Sequence, residues 1–445
     1  MVISCQEIRE IFIRFFEEKG HLHIPAASLI PANDPTLLFI NSGMAPLKRY
    51  FTGEAEPPHP DLCNVQPCIR TREIKDVGDR HHLTFFEMMG SWSINNYFKE
   101  TAIELAYELL VERFSLPKEK LYATVYKGNS ELNLSPDYES ARVWERVGLK
   151  SEQIGYLGDE IFWGPAGDSG PCGPSTDVFF DTGSECGEAS NLEGHLDPAP
   201  RFIQIWNAGN FLELDKKPDG TYSNLCFHSV DSGSGLERIA TIVNGFSTVY
   251  ETDLLRPILA DVEQQLSGKG LSKADFRVLA DHLRAVTFIL SEGVVPTNEG
   301  RGYIPRRLIR KCVAVVTRAG MPEFDFTGII NGIVERSSKD YPLLAKNRLR
   351  IVEKFLNEKK DFESVIRKGF DRLKRLCEKP PFILTGVDAF TLSSTYGMPL
   401  ELIRDFIRDR GWRCDEEEFY REFRRHQDIS HAGRLTGKAL SKGGM

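Results

Sequence analysis

The chain has 445 residues, 41% of them hydrophobic, which is enough for two or three domains with buried cores. Its formal net charge of −8 excludes a uniformly cationic surface, so any nucleic acid has to be bound by a local basic patch. Nine cysteines without a Cys-x-x-Cys pair indicate neither a disulfide framework nor a zinc knuckle, and we expect a reducing, cytoplasmic setting. No signal-peptide pattern and no membrane-spanning apolar run is present, so no membrane association is expected.

The first predicted element is an amphipathic helix. Ser4 and Glu7 have the spacing of a capping box, and apolar residues recur at helical intervals as far as Lys19-Gly20. From about residue 22 to 240 the pattern changes to short apolar runs between Gly, Pro, Asp and Asn clusters. These runs are Leu37–Ile40, Leu121–Tyr126, Asp177–Phe180 and Phe202–Trp206, with a helix among them at about Glu100–Phe114. We therefore predict an α+β domain with an antiparallel sheet over residues 1–248.

Strand signals fade after about residue 250. Helical periodicity then runs through residues 275–292, 303–318, 346–377 and 399–410. The third of these segments carries one apolar stripe among charged residues, made of Val352, Phe355, Phe362, Ile366, Phe370 and Leu373. Such a stripe is what a helix in a bundle needs, so we predict an α-helical domain over residues 249–445.

The segment Asp231–Arg238 combines an anion, a glycine-rich turn and a cation. The carboxylate of Asp231 can hold an ammonium group, while Gly233 and Gly235 allow the backbone to approach a ligand closely. Arg238 follows one turn into the next predicted helix, where its guanidinium can clamp phosphate oxygens. Considered alone, the segment is equally typical of a strand-to-helix connection that ends in a surface arginine.

Further motifs accompany this segment along nearly the whole chain. They are Asn33–Phe39, Asn41–Met44, Cys68–Arg70, His81–Trp92, Gly170–Pro174, Ile205–Asn207 and Asn298–Tyr303. Taken together in this order, they resemble alanyl-tRNA synthetases. The resemblance implies a class II aminoacyl-tRNA synthetase catalytic domain over residues 1–248 and an α-helical domain for the tRNA acceptor stem over residues 249–445. It also implies activation of alanine with ATP and Mg²⁺, followed by transfer to the 3′ end of tRNA(Ala).

The resemblance assigns two arginines to ATP and the catalytic step. Arg70 matches the arginine on the α-phosphate, and Arg238 matches the arginine that reaches the far phosphates and the adenine. Phe85 and Phe86 both stand where an aromatic ring should lie on the adenine. Strand alternation places Phe86 on the same face as Met88, a predicted wall of the amino-acid pocket, and so favours Phe86. Because the expected His-x-x-x-Phe spacing can be counted to either ring, both remain candidates.

The implied amino-acid pocket contains Trp163 as an aromatic wall, Asp231 at the ammonium group, Asn207 at the substrate carboxylate region, and Gly233 where the backbone approaches the amino acid. One aromatic wall with one anion and one amide suits a small zwitterion, although Trp163 could instead be a core residue. The family usually has valine two residues after the asparagine, and this chain has Gly209. We expect a wider pocket, in which alanine need not be the sole substrate.

A basic strip is predicted early in the helical half. Arg306, Arg307, Arg310 and Lys311 share one helix face, with Arg301 just before it, and this strip can seat an acceptor stem or be plain solvated surface. Asn298 matches a family residue that contacts the G·U pair of tRNA(Ala). Ser394 stands where the family has an aspartate, so a hydrogen-bonding group replaces a charge.

The C-terminal segment Ser430–Arg434 resembles the linker to the family's editing domain. No His-x-x-x-His is present, since the nearest pair, His426 and His431, has four intervening residues. We therefore expect no zinc site in this chain, so that mischarged tRNA requires either an editing protein acting in trans or a tolerant use of the product. We also expect a monomer.

Two other functions compete with alanine–tRNA ligation. A paralogue could activate a small amino acid for a carrier protein or a biosynthetic tRNA-dependent pathway, as Gly209 and Ser394 suggest. A non-catalytic tRNA-binding module is disfavoured by the joint presence of Arg70, Asp231 and Arg238.

Overall fold

The computed structural model describes residues 2–32, 34, 36–165, 169–183, 201–321, 323–376, 378, 383–396, 398, 400–408 and 411–425. The predictions for Asn33, for Ser430–Arg434 and for the pair His426 and His431 therefore lie outside the described residues. The chain divides into two compact units, Met1–Glu263 with Lys273–Glu292, and Gln264–Ser272 with Gly293–Met445.

Helices and strands are numbered in chain order. The helices are α1 Cys5–Glu18, α2 Lys48–Phe51, α3 Lys99–Tyr107, α4 Tyr138–Val147, α5 Leu236–Val243, α6 Arg256–Leu266, α7 Lys273–Ser291, α8 Tyr303–Arg318, α9 Phe326–Ser337, α10 Pro342–Lys346, α11 Arg348–Leu376, α12 Gly386–Ser394 and α13 Leu400–Arg408. The strands are β1 Leu22–His23, β2 Asp61–Ile69, β3 Phe85–Ile94, β4 Leu121–Tyr126, β5 Ile154–Leu157, β6 Phe162–Trp163, β7 Gly170–Asp181, β8 Phe202–Lys216, β9 Tyr222–Gly235, β10 Ile383–Leu384 and β11 Arg413–Cys414.

Helix α1 begins as the sequence predicts. The Ser4 hydroxyl accepts a hydrogen bond from the backbone N–H of Glu7, and the Glu7 carboxylate accepts one from the Ser4 N–H at 2.8 Å. The backbone N–H groups of Ser4 and Glu7 have no carbonyl partner at the start of the helix, so these two reciprocal hydrogen bonds stabilise the first turn. The helix ends at Glu18 with Lys19 as its C-cap, and Phe12 and Phe15 on its apolar face are fully buried.

The first unit is built on a nine-stranded sheet in the order β1-β2-β3-β9-β8-β7-β4-β5, with β6 paired to β7. Its pairs are antiparallel except β1 with β2 and β4 with β5, which confirms the predicted α+β class. The predicted strand at Leu37–Ile40 is wrong, because this segment is irregular. Its side chains Phe39 and Ile40 are nevertheless buried. The Ile40 N–H donates to the Leu29 carbonyl, and the Ile40 carbonyl accepts from the Ile69 N–H.

Helix α7 groups with the sheet of the first unit, whereas the sequence places residues 249–445 together. Polar contacts give the reason: the Thr84 N–H and hydroxyl both donate to Asp281 of α7, at 2.8 and 2.6 Å. Arg284 of α7 lies between two carboxylates, bonding Glu237 at 2.6 Å and Glu87 at 3.3 Å. Periodicity shows that this segment is a helix but carries no information about which core it joins.

In the second unit the predicted helices over residues 303–318, 346–377 and 399–410 are confirmed as α8, α11 and α13. The α11 stripe is buried at Phe355, Phe362, Ile366, Phe370 and Leu373, while Ile351 is buried in place of Val352. Among the described residues, no helix is both long and apolar enough to cross a membrane.

Candidate active site

A cavity opens over strands β3, β8 and β9 in the middle of the large sheet. It gathers eight of the predicted ATP and amino-acid residues, namely Arg70, Phe86, Met88, Trp163, Asn207, Asp231, Gly233 and Arg238. These positions span 169 residues of sequence, from 70 to 238, so the antiparallel pairing of β3 with β9 and of β9 with β8 brings them together.

Arg70 follows the last residue of β2 and forms one side of the cavity. Its Nη1 donates to the Glu73 carboxylate at 3.1 Å, and its guanidinium lies 4.7 Å from the ring centre of Phe86. A cation over an aromatic face is a stable pair, and it holds both groups at the same edge of the cavity. Phosphate and a planar base could therefore be bound side by side here.

Phe85 lies outside the cavity, and this placement separates the two candidate rings. Its ring stacks on Phe288 at 4.0 Å, and Arg284 lies 4.7 Å from its centre on the core side. Because neighbouring residues in a strand face opposite ways, Phe86 faces the cavity. The assignment of Phe85 to ATP is therefore corrected: its ring belongs to the core.

Arg238 stands in the first turn of α5 and donates to the carbonyl of Gln204 at 3.0 Å. Burial, followed by the nearby Arg70 charge, lowers its pKa, and an arginine still stays protonated at neutral pH. His81 lines the same region, and burial together with Arg238 lowers its pKa to about 4. The imidazole is therefore neutral, and the two arginines supply the positive charge.

Asp231 is the buried anion at the other end of the cavity. Trp92 Nε1 donates to one of its oxygens at 2.8 Å, and Asn210 Nδ2 donates to the other at 2.9 Å. Burial raises its pKa, because neither partner supplies a positive charge. The Trp92 ring reaches Asp231 only because Gly90 has no side chain, since a Cβ there would lie 2.4 Å from the ring.

Asn207 lines the cavity, as Asp231 does, and Asp177 on β7 is paired with Asn207 across the sheet. Asn207 Nδ2 donates to Asp177 at 2.8 Å and to Asn210 Oδ1 at 3.0 Å, while Gln204 Nε2 donates to the same Asp177 oxygen at 2.6 Å. Burial raises the pKa of Asp177 to about 6, although these hydrogen bonds act to lower it.

Sequence reasoning missed Trp92, Asp177, Gln204 and Asn210 as parts of this site. A signal for Asp177 existed, because a carboxylate stands directly before Val178 and Phe179 in a strongly apolar strand. A buried carboxylate needs several hydrogen bonds, so such a position indicates a polar network.

Gly209 does not line the cavity, and its assignment to the pocket is corrected. A Cβ on Gly209 would lie 2.6 Å from the ring of Phe211, in the core. The cause is a register shift in β8 between Asn207 and Asn210. In a regular strand Asn207 and Gly209 would share a face, whereas the bulge turns Asn207 and Asn210 both to the cavity.

The second unit contains a groove lined by predicted tRNA-binding residues and by aromatic rings. It is made of Asn298, Tyr303, Arg306, Arg307, Arg310, Ser393, Leu400, Phe419, Tyr420 and Phe423. Arg306 donates to Asn298 Oδ1, and both Arg306 and Arg310 pair with Glu358, at 3.3 and 2.6 Å. Arg301, Lys311 and Ser394 are not among its lining residues, so these three assignments find no support in the groove.

A metal cage made only of protein ligands is not found within the described ranges, where no three His, Cys, Asp or Glu side chains cluster suitably. Glu73 lines the cavity beside Arg70, whereas the Glu237 carboxylate is buried and paired with Arg284. One or two carboxylates beside a phosphate site fit Mg²⁺, which keeps most of its waters and binds substrate phosphates.

A mainly antiparallel sheet with two arginines and an aromatic ring over one cavity is the arrangement that the sequence resemblance implies for a class II aminoacyl-tRNA synthetase catalytic domain. The family model described as tRNA synthetases class II (A) matches residues 7–443. Alanine–tRNA ligase of Borrelia hermsii is 36% identical over 455 residues, which cover 100% of this chain and 75% of that protein. The chain belongs to the alanyl-tRNA synthetase family.

Two further relatives are also alanine–tRNA ligases. The enzyme of Acetivibrio thermocellus is 38% identical over 96% of this chain and 49% of its own length. That of Thermotoga maritima is 40% identical over 97% of this chain and 50% of its own length. The chain thus spans about half the length of these two relatives.

Proposed function

We propose that this chain activates alanine with ATP to form alanyl-adenylate and transfers the alanyl group to the 3′ end of tRNA(Ala). The observation that carries the proposal is the single cavity with Asp231 and Asn207 at one end and Arg70, Phe86 and Arg238 at the other. An amino acid held by its ammonium group at the first end would direct its carboxylate toward the arginines.

In the activation step a carboxylate oxygen of alanine attacks the α-phosphorus of ATP, and pyrophosphate leaves. This reaction needs positioning and charge neutralisation, and no covalent nucleophile from the protein. Arg70 neutralises the α-phosphate, and Arg238 holds the leaving phosphates. Phe86 stacks on the adenine beneath Arg70. Mg²⁺ bound at the phosphates, with the Glu73 carboxylate beside it, would add further charge neutralisation.

The groove of the second unit is the proposed site for the acceptor stem. Arg306, Arg307 and Arg310 offer charge to phosphates, and Asn298 offers hydrogen bonds to the G·U pair. Exposed rings beside them, Tyr420 and Phe423, suit stacking against unpaired bases. An editing protein acting in trans, the cytosol as compartment and a monomeric state remain part of this proposal.

Amino-acid-dependent exchange of pyrophosphate into ATP tests the activation step without presuming an acceptor. We expect exchange with alanine, measured against glycine, serine and the other small amino acids. Charging of a tRNA(Ala) transcript tests the transfer step separately. The absence of exchange with any amino acid would contradict the proposal, while exchange without charging would leave only the acceptor open. The alanine–tRNA ligase relatives give no support to an alternative acceptor.

A further inference from the structure

Residues 70–84, the cavity loop, join β2 to β3 and contribute to the wall of the cavity. The residues of this loop that line the cavity are Arg70, Glu73, His81 and Leu83. At the base of the loop the Arg70 N–H donates to the Thr84 carbonyl at 3.0 Å. Between these ends the loop contains one short helical turn, at Glu73–Lys75, so contacts from outside have to hold its outer part in place.

Arg277 of α7 makes such a contact with the outer part of the cavity loop. Its Nη1 donates to the backbone carbonyls of Gly78 at 3.2 Å and Asp79 at 3.0 Å. The same guanidinium lies 5.5 Å from the ring centre of Tyr250, which is buried. A cation against an aromatic ring is a favourable pair, so the ring supports the guanidinium that bonds to the loop.

The backbone at Gly78 packs closely against the same helix. Its φ of +114° lies in a region that glycine adopts without strain. A Cβ at this position would lie 3.3 Å from the Ala274 Cβ and 3.4 Å from a methyl group of Val278. Ala274, Arg277 and Val278 have the spacing i, i+3 and i+4, so a single face of α7 receives the loop.

From this turn, hydrogen bonds lead along the loop to the cavity. One carboxylate oxygen of Asp79 accepts from the His81 N–H at 2.9 Å and from the following N–H at 2.8 Å. The Arg80 carbonyl accepts from the Val249 N–H at 3.1 Å, and Val249 itself lines the cavity. The position of His81 in the cavity wall therefore depends on the position of Asp79, to which Arg277 is bonded.

We propose that Arg277 is a positioning residue for the activation reaction: it binds the turn at Gly78 and Asp79 and so holds the cavity loop in place around ATP. Arg277 does not line the cavity, so it acts through the loop and not on the nucleotide. Among the described residues it has no ion pair, and its guanidinium serves the two loop carbonyls and the Tyr250 ring. This inference rests on the function proposed above and specifies how its ATP end is built.

The first test is Arg277→Met, which keeps the length of the side chain and removes its donors. We expect the KM for ATP in pyrophosphate exchange to rise about 10-fold, the scale of one hydrogen bond from a charged group. The KM for alanine should stay unchanged, because Asn207 and Asp231 lie on β8 and β9. Arg256→Met is the matched control, since Arg256 lies on another helix of the same unit and pairs with Glu263 at 2.9 Å. An unchanged KM for ATP, or an equal rise in both KM values, would overturn the proposal.

Arg277→Lys separates the hydrogen bonds to the loop from the effect of charge alone. Lysine keeps the positive charge, but its ammonium group ends one bond short of the position of Nη1 and lacks the planar guanidinium. We therefore expect the KM for ATP to recover only in part. Full recovery would show that a charge at this distance from the nucleotide is sufficient, which would contradict a positioning role.

Amide hydrogen exchange measures the order of the loop without turnover. In Arg277→Met the amides of residues 70–84 should exchange faster than in the unsubstituted protein, while those of β8 and β9 keep their rates. Unchanged exchange in the loop, or faster exchange throughout the sheet, would overturn the proposal. Pyrophosphate exchange by the unsubstituted protein tests the proposed function separately. If no amino acid supports that exchange, the proposed function fails, and the amide measurement still decides whether Arg277 holds the loop.

Discussion

The cavity of the first unit and the groove of the second unit use charge in different ways. Asp231 in the cavity and Asp177 next to it are buried, and each accepts hydrogen bonds from two neighbouring side chains. In the groove Asn298 is exposed, and two of the arginines share one glutamate. Buried charges interact strongly and are screened little by salt, whereas exposed charges are screened within about 10 Å at 0.1 M salt.

This difference indicates two kinds of recognition. The cavity is suited to a small ligand whose groups must meet fixed partners, because its geometry is set by strand register. The groove is suited to a polyanion, for which charge matters more than the position of any one atom. Variants of the cavity should therefore change chemistry at any ionic strength, and variants of the groove should change how binding depends on salt.

The largest expected effect is on stability, at the buried ion pairs that Arg284 makes with Glu87 and Glu237. Arg284→Met removes the cation between Glu87 and Glu237, and both carboxylates then remain buried without it. We expect a loss of about 3–5 kcal/mol in the free energy of unfolding, measured by chemical denaturation. Arg146→Met, at an exposed arginine paired with Glu104, is the control and should change little. Equal stability of both variants would contradict the importance of burial.

The next effect is catalytic. Arg238→Ala and Arg70→Ala each remove a cation assigned to phosphate charge, so pyrophosphate exchange should fall about 100-fold or more, with the circular dichroism spectrum unchanged. Because these arginines lie in the cavity, raising the salt concentration should neither imitate nor rescue the defect. Near-normal exchange in either variant would remove that arginine from the proposed mechanism.

Gly209→Val tests whether Gly209 shapes the amino-acid pocket or packs in the core. The sequence predicts a shift in amino-acid preference, but the added side chain would meet the Phe211 ring in the core. We expect a loss of stability of about 1–3 kcal/mol, with the ratio of alanine to serine activation unchanged. Gly164→Ala is the control for stability, since no atom of the described residues beyond its chain neighbours lies within 4 Å of a Cβ there. A changed substrate ratio would restore Gly209 to the pocket.

For the groove, Arg306→Gln should leave pyrophosphate exchange intact and weaken tRNA binding by about 1.5 kcal/mol at low salt. If Arg306 contacts one phosphate, the slope of log affinity against log salt should become shallower by about 0.9. Titration of a labelled tRNA at several salt concentrations measures both quantities. An unchanged slope would show that Arg306 serves only its partners Asn298 and Glu358.

The smallest effect distinguishes two adjacent serines. Ser393 lines the groove, whereas Ser394 is exposed and is not among its lining residues. Ser393→Ala should lower kcat/KM for tRNA charging by an amount that corresponds to about 0.5–1 kcal/mol of lost transition-state stabilisation. Ser394→Ala should leave kcat/KM unchanged. The reverse result would return the expected tRNA contact to Ser394.

Local patterns in the sequence were enough to predict the local features of this fold. The capping box of Ser4 and Glu7 and most of the apolar stripe of α11 follow from neighbouring residues. Strand alternation favours Phe86 over Phe85 but does not decide between them. The location of Gly209 could not be predicted, because the bulge that turns it away depends on hydrogen bonds from two other strands. The grouping of α7 with the sheet also depends on distant partners, such as Thr84 and Glu87.

The Trp92 side chain gives the amino-acid site a built-in optical reporter. Its indole N–H bonds directly to Asp231, so a ligand that engages this carboxylate changes the electric field at the ring. The indole N–H of Trp206 donates to Ser232 at 3.1 Å, and these two residues line the cavity. Indole emission responds to such fields. Binding of the amino acid alone should therefore be visible as a change in intrinsic fluorescence, without a label, a radioactive substrate or a turnover event.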